Sequence, residues 1–131
     1  MTRYKITAKM AIEFHDLLGS DLEAQGIRER GTLDYLVERI NEEEEVFRRA
    51  AWALYVADQH PFWDGQKRTA FYLADMILRV EGYYIHEEQD KIISVLTKIA
   101  KYECTDNIEG IEKWLRKKCR KHSKSKQLHL R

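Results

Sequence analysis

VFRRAAWALYVADQHPFWDGQKRTAFYLADMIL, residues 46–78, decides how the chain folds. Val46, Ala50, Ala53, Leu54 and Ala57 recur at the spacing of one helical face, inside a predicted helix from Glu42 to Gln59. Ala50, Ala51, Ala53 and Ala57 predict close packing of another element against it. Pro61, the only proline, lacks a backbone N–H and disfavours helical geometry at His60, so the helix stops there. A loop from Pro61 to Gln66 follows. Lys67 or Arg68 opens a second helix through Ala70, Leu73, Ala74, Ile77 and Leu78, which Gly82 can end in a left-handed conformation.

Outward from this pair the pattern stays helical. Met10, Ile12, Phe14, Leu17 and Leu18 mark a helix between Thr7 and Leu18, and Gly19, Gly26 and Gly31 mark a loop. Thr32 can cap a short helix whose Leu33, Leu36, Val37 and Ile40 share a face. Two more helices are predicted, from Glu87 to Glu103 and from Asn107 to about Cys119. The expectation is an all-α, compact single-domain helical bundle over residues 1–119, followed by a basic tail over residues 120–131.

Composition agrees. At 131 residues the chain can bury a core without disulfides. With 44% hydrophobic and 34% charged residues it is not a disordered chain, and one proline and six glycines argue against a turn-rich β-sandwich. Cys104 and Cys119 lack metal-ligand spacing and read as two reduced thiols. No long apolar stretch marks a signal peptide or membrane span, so a cytoplasmic protein is expected. Residues 116–131 hold eight Lys/Arg and no Asp/Glu, whereas residues 1–115 carry fifteen Lys/Arg against twenty-two Asp/Glu. The tail reads first as a solvated terminus, and contact with nucleic acid is expected only through it.

The chemistry concentrates in the loop between the central helices. A helix N-terminus presents unpaired N–H groups and positive dipole potential, which suits phosphate. Gly65 permits close backbone approach, and Lys67 and Arg68 add charge at the same end. Asp64 can hold a magnesium ion between nucleotide phosphates, and His60 can take the proton of an attacking hydroxyl. Singly, each has an ordinary explanation: a capping histidine, an Asp-Gly turn, two surface cations. At this spacing together they read as a site.

His60-Pro61-Phe62-Trp63-Asp64-Gly65-Gln66-Lys67-Arg68-Thr69-Ala70 resembles the signature of the Fic/Doc family, His-x-Phe-x-Asp/Glu-Gly/Ala-Asn-Lys/Gly-Arg. The similarity extends from the first helix to about Cys119, through residues 26–33 before the core and Gly82-Tyr83 after it. The resemblance implies that His60 is the general base, Phe62 the residue anchoring the loop in the core and Asp64 the magnesium ligand. Gly65, Gln66, Lys67 and Arg68 would face the phosphates, with Lys67 and Arg68 also stabilising charge during transfer. Gly26, Ile27, Arg28, Glu29, Arg30 and Gly31 resemble the flap that pairs with an extended segment of the target, a form of β-augmentation.

Two departures narrow the reading. The AMP-transferring Fic branch has glycine at the position of Lys67 and a second arginine at the position of Phe71, so the pattern resembles the death-on-curing (Doc) branch. That branch transfers the γ-phosphate of ATP, with translation elongation factor Tu as the implied target and a separately encoded antitoxin as inhibitor. AMP transfer, or a non-catalytic module binding anions and nucleic acid, are the alternatives. The second departure is Gln66, where the family usually has Asn.

Other signals read as structural. Thr105-Asp106-Asn107-Ile108-Glu109-Gly110 loosely fits the family's inhibitory-helix pattern, but helix initiation by Asn107 explains it better. Tyr83, Tyr84 and His86 read as the edge of the core, Trp52 and Trp114 as core and Trp63 as partly exposed beside the target. His15, His122 and His129 show no recognisable partner, and Glu42 to Glu45 reads as a solvated acidic helix start.

Overall fold

The structure, a computed structural model, describes residues 5–17, 26–100 and 107–122, without the side chains of Ala100 and Asn107. The elements are α1 (Ala8–Leu17), α2 (Arg30–Glu42), α3 (Val46–Leu54), α4 (Val56–Gln59), α5 (Gln66–Val80), β1 (Tyr83–Ile85), α6 (Gln89–Ala100), α7 (Asn107–Lys118) and β2 (Cys119–Lys121). The fold is all-α, with a small antiparallel ribbon of β1 and β2 in which Tyr84 faces Arg120.

The two central segments meet as their alanines predict. α3 packs against α5, α7 and α2, while α5 also contacts α1, α4, α6 and β1. Ala50, Ala51, Ala53, Ala57, Ala70 and Ala74 are all fully buried, and the small side chains let these helices approach closely. Leu33, Leu36, Ile40, Leu54, Leu73, Ile77 and Leu78 fill the space around them, each stabilising the fold by about 1.5–3 kcal/mol.

The predicted helix from Glu42 to Gln59 is three pieces. α2 ends at Glu42, and the Glu45 carboxylate caps α3 by accepting from the N–H groups of Phe47 (2.9 Å) and Arg48 (3.1 Å). The acidic run is therefore the junction of α2 and α3, and the exposed Glu45 is the expected solvated acidic start of a helix, that of α3. Glu43 also accepts from Trp52 Nε1 at 3.2 Å, and the buried Arg49 donates from Nε to the carbonyl of Ile40 at 3.0 Å, satisfying the end of α2. Glu45 additionally lies 2.9 Å from Arg116 on α7. Glu45→Ala is expected to cost about 1 kcal/mol in urea denaturation, chiefly through the lost cap.

Other boundaries shift for local reasons. Gly31 and Thr32 lie inside α2, whose cap is the extended Glu29 (φ −140°) without a side-chain bond, so neither the loop glycine nor the threonine cap holds. α5 starts at Gln66, one residue early, because Gly65 is left-handed (φ 80°) and serves as its cap. Gly82 is left-handed at φ 91°, as expected of a helix-ending glycine.

The last helix stops at Lys118, and Cys119, Arg120 and Lys121 form β2 instead of a helix end and tail. Residues 123–131, Cys104, Gly19 and the Thr105-Asp106 part of the inhibitory-like pattern lie outside the described residues. Among the described residues no helix is long and apolar enough to cross a membrane.

Burial pushes the Cys119 thiol from its ordinary 9.0 up to about 11. The folded value is the higher one, so this contribution to stability is complete below pH 9 and is lost as pH rises through 11. At pH 8, Cys119 is expected to resist alkylation in the folded protein and to react once urea unfolds it. Site-resolved mass spectrometry reads the difference.

Candidate active site

The loop begins on a strained residue. His60 has φ 52° and ψ 55°, the one non-glycine among the described residues at positive φ. This left-handed conformation costs about 1–2 kcal/mol in an L-residue, so its surroundings must impose it. Its N–H donates to the Val56 carbonyl at 3.2 Å, Arg28 Nε donates to its carbonyl at 2.9 Å, and Pro61 disfavours the right-handed alternative. The chain thus reverses at His60 and carries Pro61 and Phe62 into the core.

Phe62 is 1% exposed and forms an antiparallel bridge with Ile27. Arg28 N–H and Glu29 N–H donate to the Pro61 carbonyl (2.8 and 2.9 Å), and Trp63 N–H to the Gly26 carbonyl at 3.2 Å. Because those bonds flank the Ile27–Phe62 pair, the pair's own N–H and C=O groups point outward on both sides. On the loop side they meet the Gln66 side chain, whose Oε1 accepts from Phe62 N–H at 3.1 Å while its Nε2 donates to the Phe62 carbonyl.

This ladder explains the departure at Gln66. The amide must span to both backbone groups of Phe62, and asparagine is one methylene shorter. The side chain is buried against the Phe62 backbone, and the residue also lines the cavity beside the loop. Gln66→Glu puts an acceptor against the Phe62 carbonyl and is expected to cost about 1–3 kcal/mol in denaturation. Gln66→Asn should lower activity more than stability, because the loop loses one of its two tethers.

A cavity of about 300 Å³ opens beside the loop, and His60, Trp63, Asp64, Gly65, Gln66, Lys67 and Arg68 line it. An Asp64 carboxylate oxygen accepts from Gly65 N–H at 2.8 Å, fixing the carboxylate at the start of α5. The first bond returning into that helix is Thr69 N–H to the Gly65 carbonyl, which leaves the N–H groups of Gln66, Lys67 and Arg68 ahead of the ladder. Lys67 and Arg68 are exposed in this first turn, which holds no acidic residue. Two cations at the positive end of a helix dipole are unfavourable unless an anion joins them.

Asp64 is a single carboxylate here. Among the described residues no group of three or more His, Cys, Asp or Glu could by itself hold a metal. That donor set fits magnesium, which takes one or two carboxylates and completes its shell with phosphate oxygens and water. A second, mostly apolar groove of about 610 Å³ adjoins through Lys67 and Arg68 and continues along Phe71, Tyr72, Ile92, Ile93 and Leu96.

His60, Phe62, Asp64, Gly65, Lys67 and Arg68 thus come together, and Trp63 is exposed beside them as expected. Of the flap, Gly26 to Glu29 run beside the loop and bridge it at Ile27, whereas Arg30 and Gly31 belong to α2, with Arg30 pairing to Asp34 at 2.9 Å. Arg28 reaches the His60 carbonyl and is a loop clamp. His15, read as lacking a partner, is buried, with Nε2 2.6 Å from the Asp64 carbonyl and its ring stacked on Phe62. The apolar pattern of α1 carried no sign of this, since a contact 49 residues away leaves no local signal. His122 also has partners, lying 3.3 Å from Arg79 and packing on Tyr84, and His129 is outside the described residues.

No curated protein matches the chain. Residues 18–78, which hold the bridging residues 26–29, the loop and α5 as far as Leu78, match the model of the Fic/DOC family, whose members generally modify proteins by nucleotide transfer.

Proposed function

We propose that the chain is a Doc-like toxin that transfers the γ-phosphate of ATP to a Ser or Thr hydroxyl of a target protein, with a translation elongation factor Tu-like protein as that target. One observation carries this reading: a single cavity is lined by His60, the Asp64 carboxylate and the cationic first turn of α5. His60 takes the hydroxyl proton, the hydroxyl oxygen bonds to the γ-phosphorus, and the bond from that phosphorus to its bridging oxygen breaks, releasing ADP. Lys67, Arg68 and the N–H groups of the first turn hold the charge that develops on the transferring group. Asp64 would hold a magnesium ion together with the nucleotide, and the ion would supply neutralisation of phosphate charge.

The γ-phosphate reading is supported by the groove beyond the cavity. Phe71 lines its apolar wall at the position where the AMP-transferring branch carries its second arginine. Target binding is supported by the ladder: Ile27 turns its own N–H and C=O away from Phe62, the side on which an extended target segment can add. A cognate antitoxin encoded as a separate protein is the proposed inhibitor.

The test is incubation with an elongation factor Tu preparation and with cell lysate, using ATP labelled at the α or the γ position with magnesium present. Label on protein from γ alone is the expected result. Label from α would place the chain with AMP transferases despite Phe71, and no label from either position in the presence of these targets would overturn the transferase reading.

A further inference from the structure

α1 buries one polar side chain among its described residues, His15, 1% exposed. Its Nε2 lies 2.6 Å from the carbonyl oxygen of Asp64. A carbonyl only accepts, so Nε2 carries the hydrogen and the imidazole donates. The ring is stacked on Phe62 with centroids 4.0 Å apart and an interplanar angle of 8°. The other ring nitrogen, Nδ1, faces the exposed Asp16 carboxylate at 3.8 Å.

Packing alone does not call for a histidine. A phenylalanine would cover Phe62 with the same flat face and would place no polar nitrogen in the core. What the imidazole adds is a donor to the backbone of the residue whose carboxylate lines the cavity and binds Gly65 N–H. Pro61 and Trp63 are held by the backbone of residues 26–29 and Phe62 by the Gln66 amide; at Asp64 the corresponding hold comes from α1. We propose that His15 is a positioning residue: its Nε2–H fixes the Asp64 peptide and thereby the direction in which the Asp64 carboxylate and the first turn of α5 meet a phosphate-bearing substrate. The inference rests on the reading of this cavity as a nucleotide-phosphate site, but the hydrogen bond can be tested without turnover.

The full chain is compared as wild type, His15→Phe, which keeps the stacked ring and loses the donor, and His15→Gln, which restores an amide donor. The first readout is amide hydrogen exchange at Gly65, with Leu73 in the core as the folding control. Gly65 protection is expected to fall at least about tenfold in His15→Phe and to recover in His15→Gln, with Leu73 unchanged. The second readout is transfer of γ-label at varied magnesium: the magnesium needed for half-maximal rate should rise about 10- to 100-fold in His15→Phe and return towards wild type in His15→Gln.

Nitrogen NMR of the wild-type imidazole keeps the proposal falsifiable should His15→Phe fail to fold: hydrogen on Nε2 is required, and hydrogen on Nδ1 alone overturns it. Gly65 protection identical in all three folded proteins also overturns it. Loss of transfer in wild type with the Gly65 pattern as expected would refute the transferase reading and leave the positioning role of His15 standing.

Discussion

Replacing His60 with alanine is expected to lower γ-label transfer about 100- to 10,000-fold while leaving the unfolding midpoint in urea at or near the wild-type value. The two effects separate because the backbone bonds that hold this residue do not use its side chain: its N–H reaches the Val56 carbonyl and its carbonyl accepts from Arg28. His60→Gly sharpens the test. Glycine adopts φ 52° without the strain an L-residue bears there, so this variant should unfold at no lower urea than wild type and still be inactive. Stability that holds or rises as activity vanishes marks strain retained for chemistry. Transfer unchanged in either variant would remove His60 from the role of base.

Local pattern exposed most of the helices and the loop between them, since amphipathic spacing, a lone proline and helix-ending glycines act over a few residues. Leu33, Leu36 and Ile40 in α2, and Ala70, Leu73, Ala74, Ile77 and Leu78 in α5, are buried on the expected faces. The joint at Glu43 to Glu45 was hidden because the period continues across it, and only the carboxylate of Glu45 on the N–H groups of Phe47 and Arg48 shows that a new helix starts. The β1–β2 ribbon was hidden for another reason: three residues on each side are too short for alternation to be seen.

At the site the same division appears. His60, Asp64, Gly65, Lys67 and Arg68 were legible because they lie within nine residues on one loop and helix start. His15, Arg28 and the inward turn of Gln66 were not, since each role depends on where a distant or bent piece of backbone comes to lie. Gln66 is the instructive case. Its identity departs from the family pattern, yet the departure carried no direction until the N–H and carbonyl of Phe62 were seen on either side of its amide.

Phe62→Ala is expected to cost about 3–5 kcal/mol, a large share of the 5–15 kcal/mol that holds a domain of this size together, and to reduce transfer to background in the molecules that remain folded. Phe62 is where three supports of the loop meet: the His15 ring on its face, Ile27 across the bridge and the Gln66 amide on its backbone. The suitable comparison is Leu73→Ala, a fully buried position in the middle of α5, expected to cost about 2–5 kcal/mol by creating a cavity away from the loop. At a temperature where both variants are more than nine-tenths folded, Leu73→Ala should keep most of its transfer rate and Phe62→Ala should lose it. Equal rates in the two would mean that the loop holds its shape without the anchor, through the backbone bonds of residues 26–29 alone. Loss in Phe62→Ala only would mean that the geometry at His60 and Asp64 is set from the core side, by the same ring against which His15 lies flat.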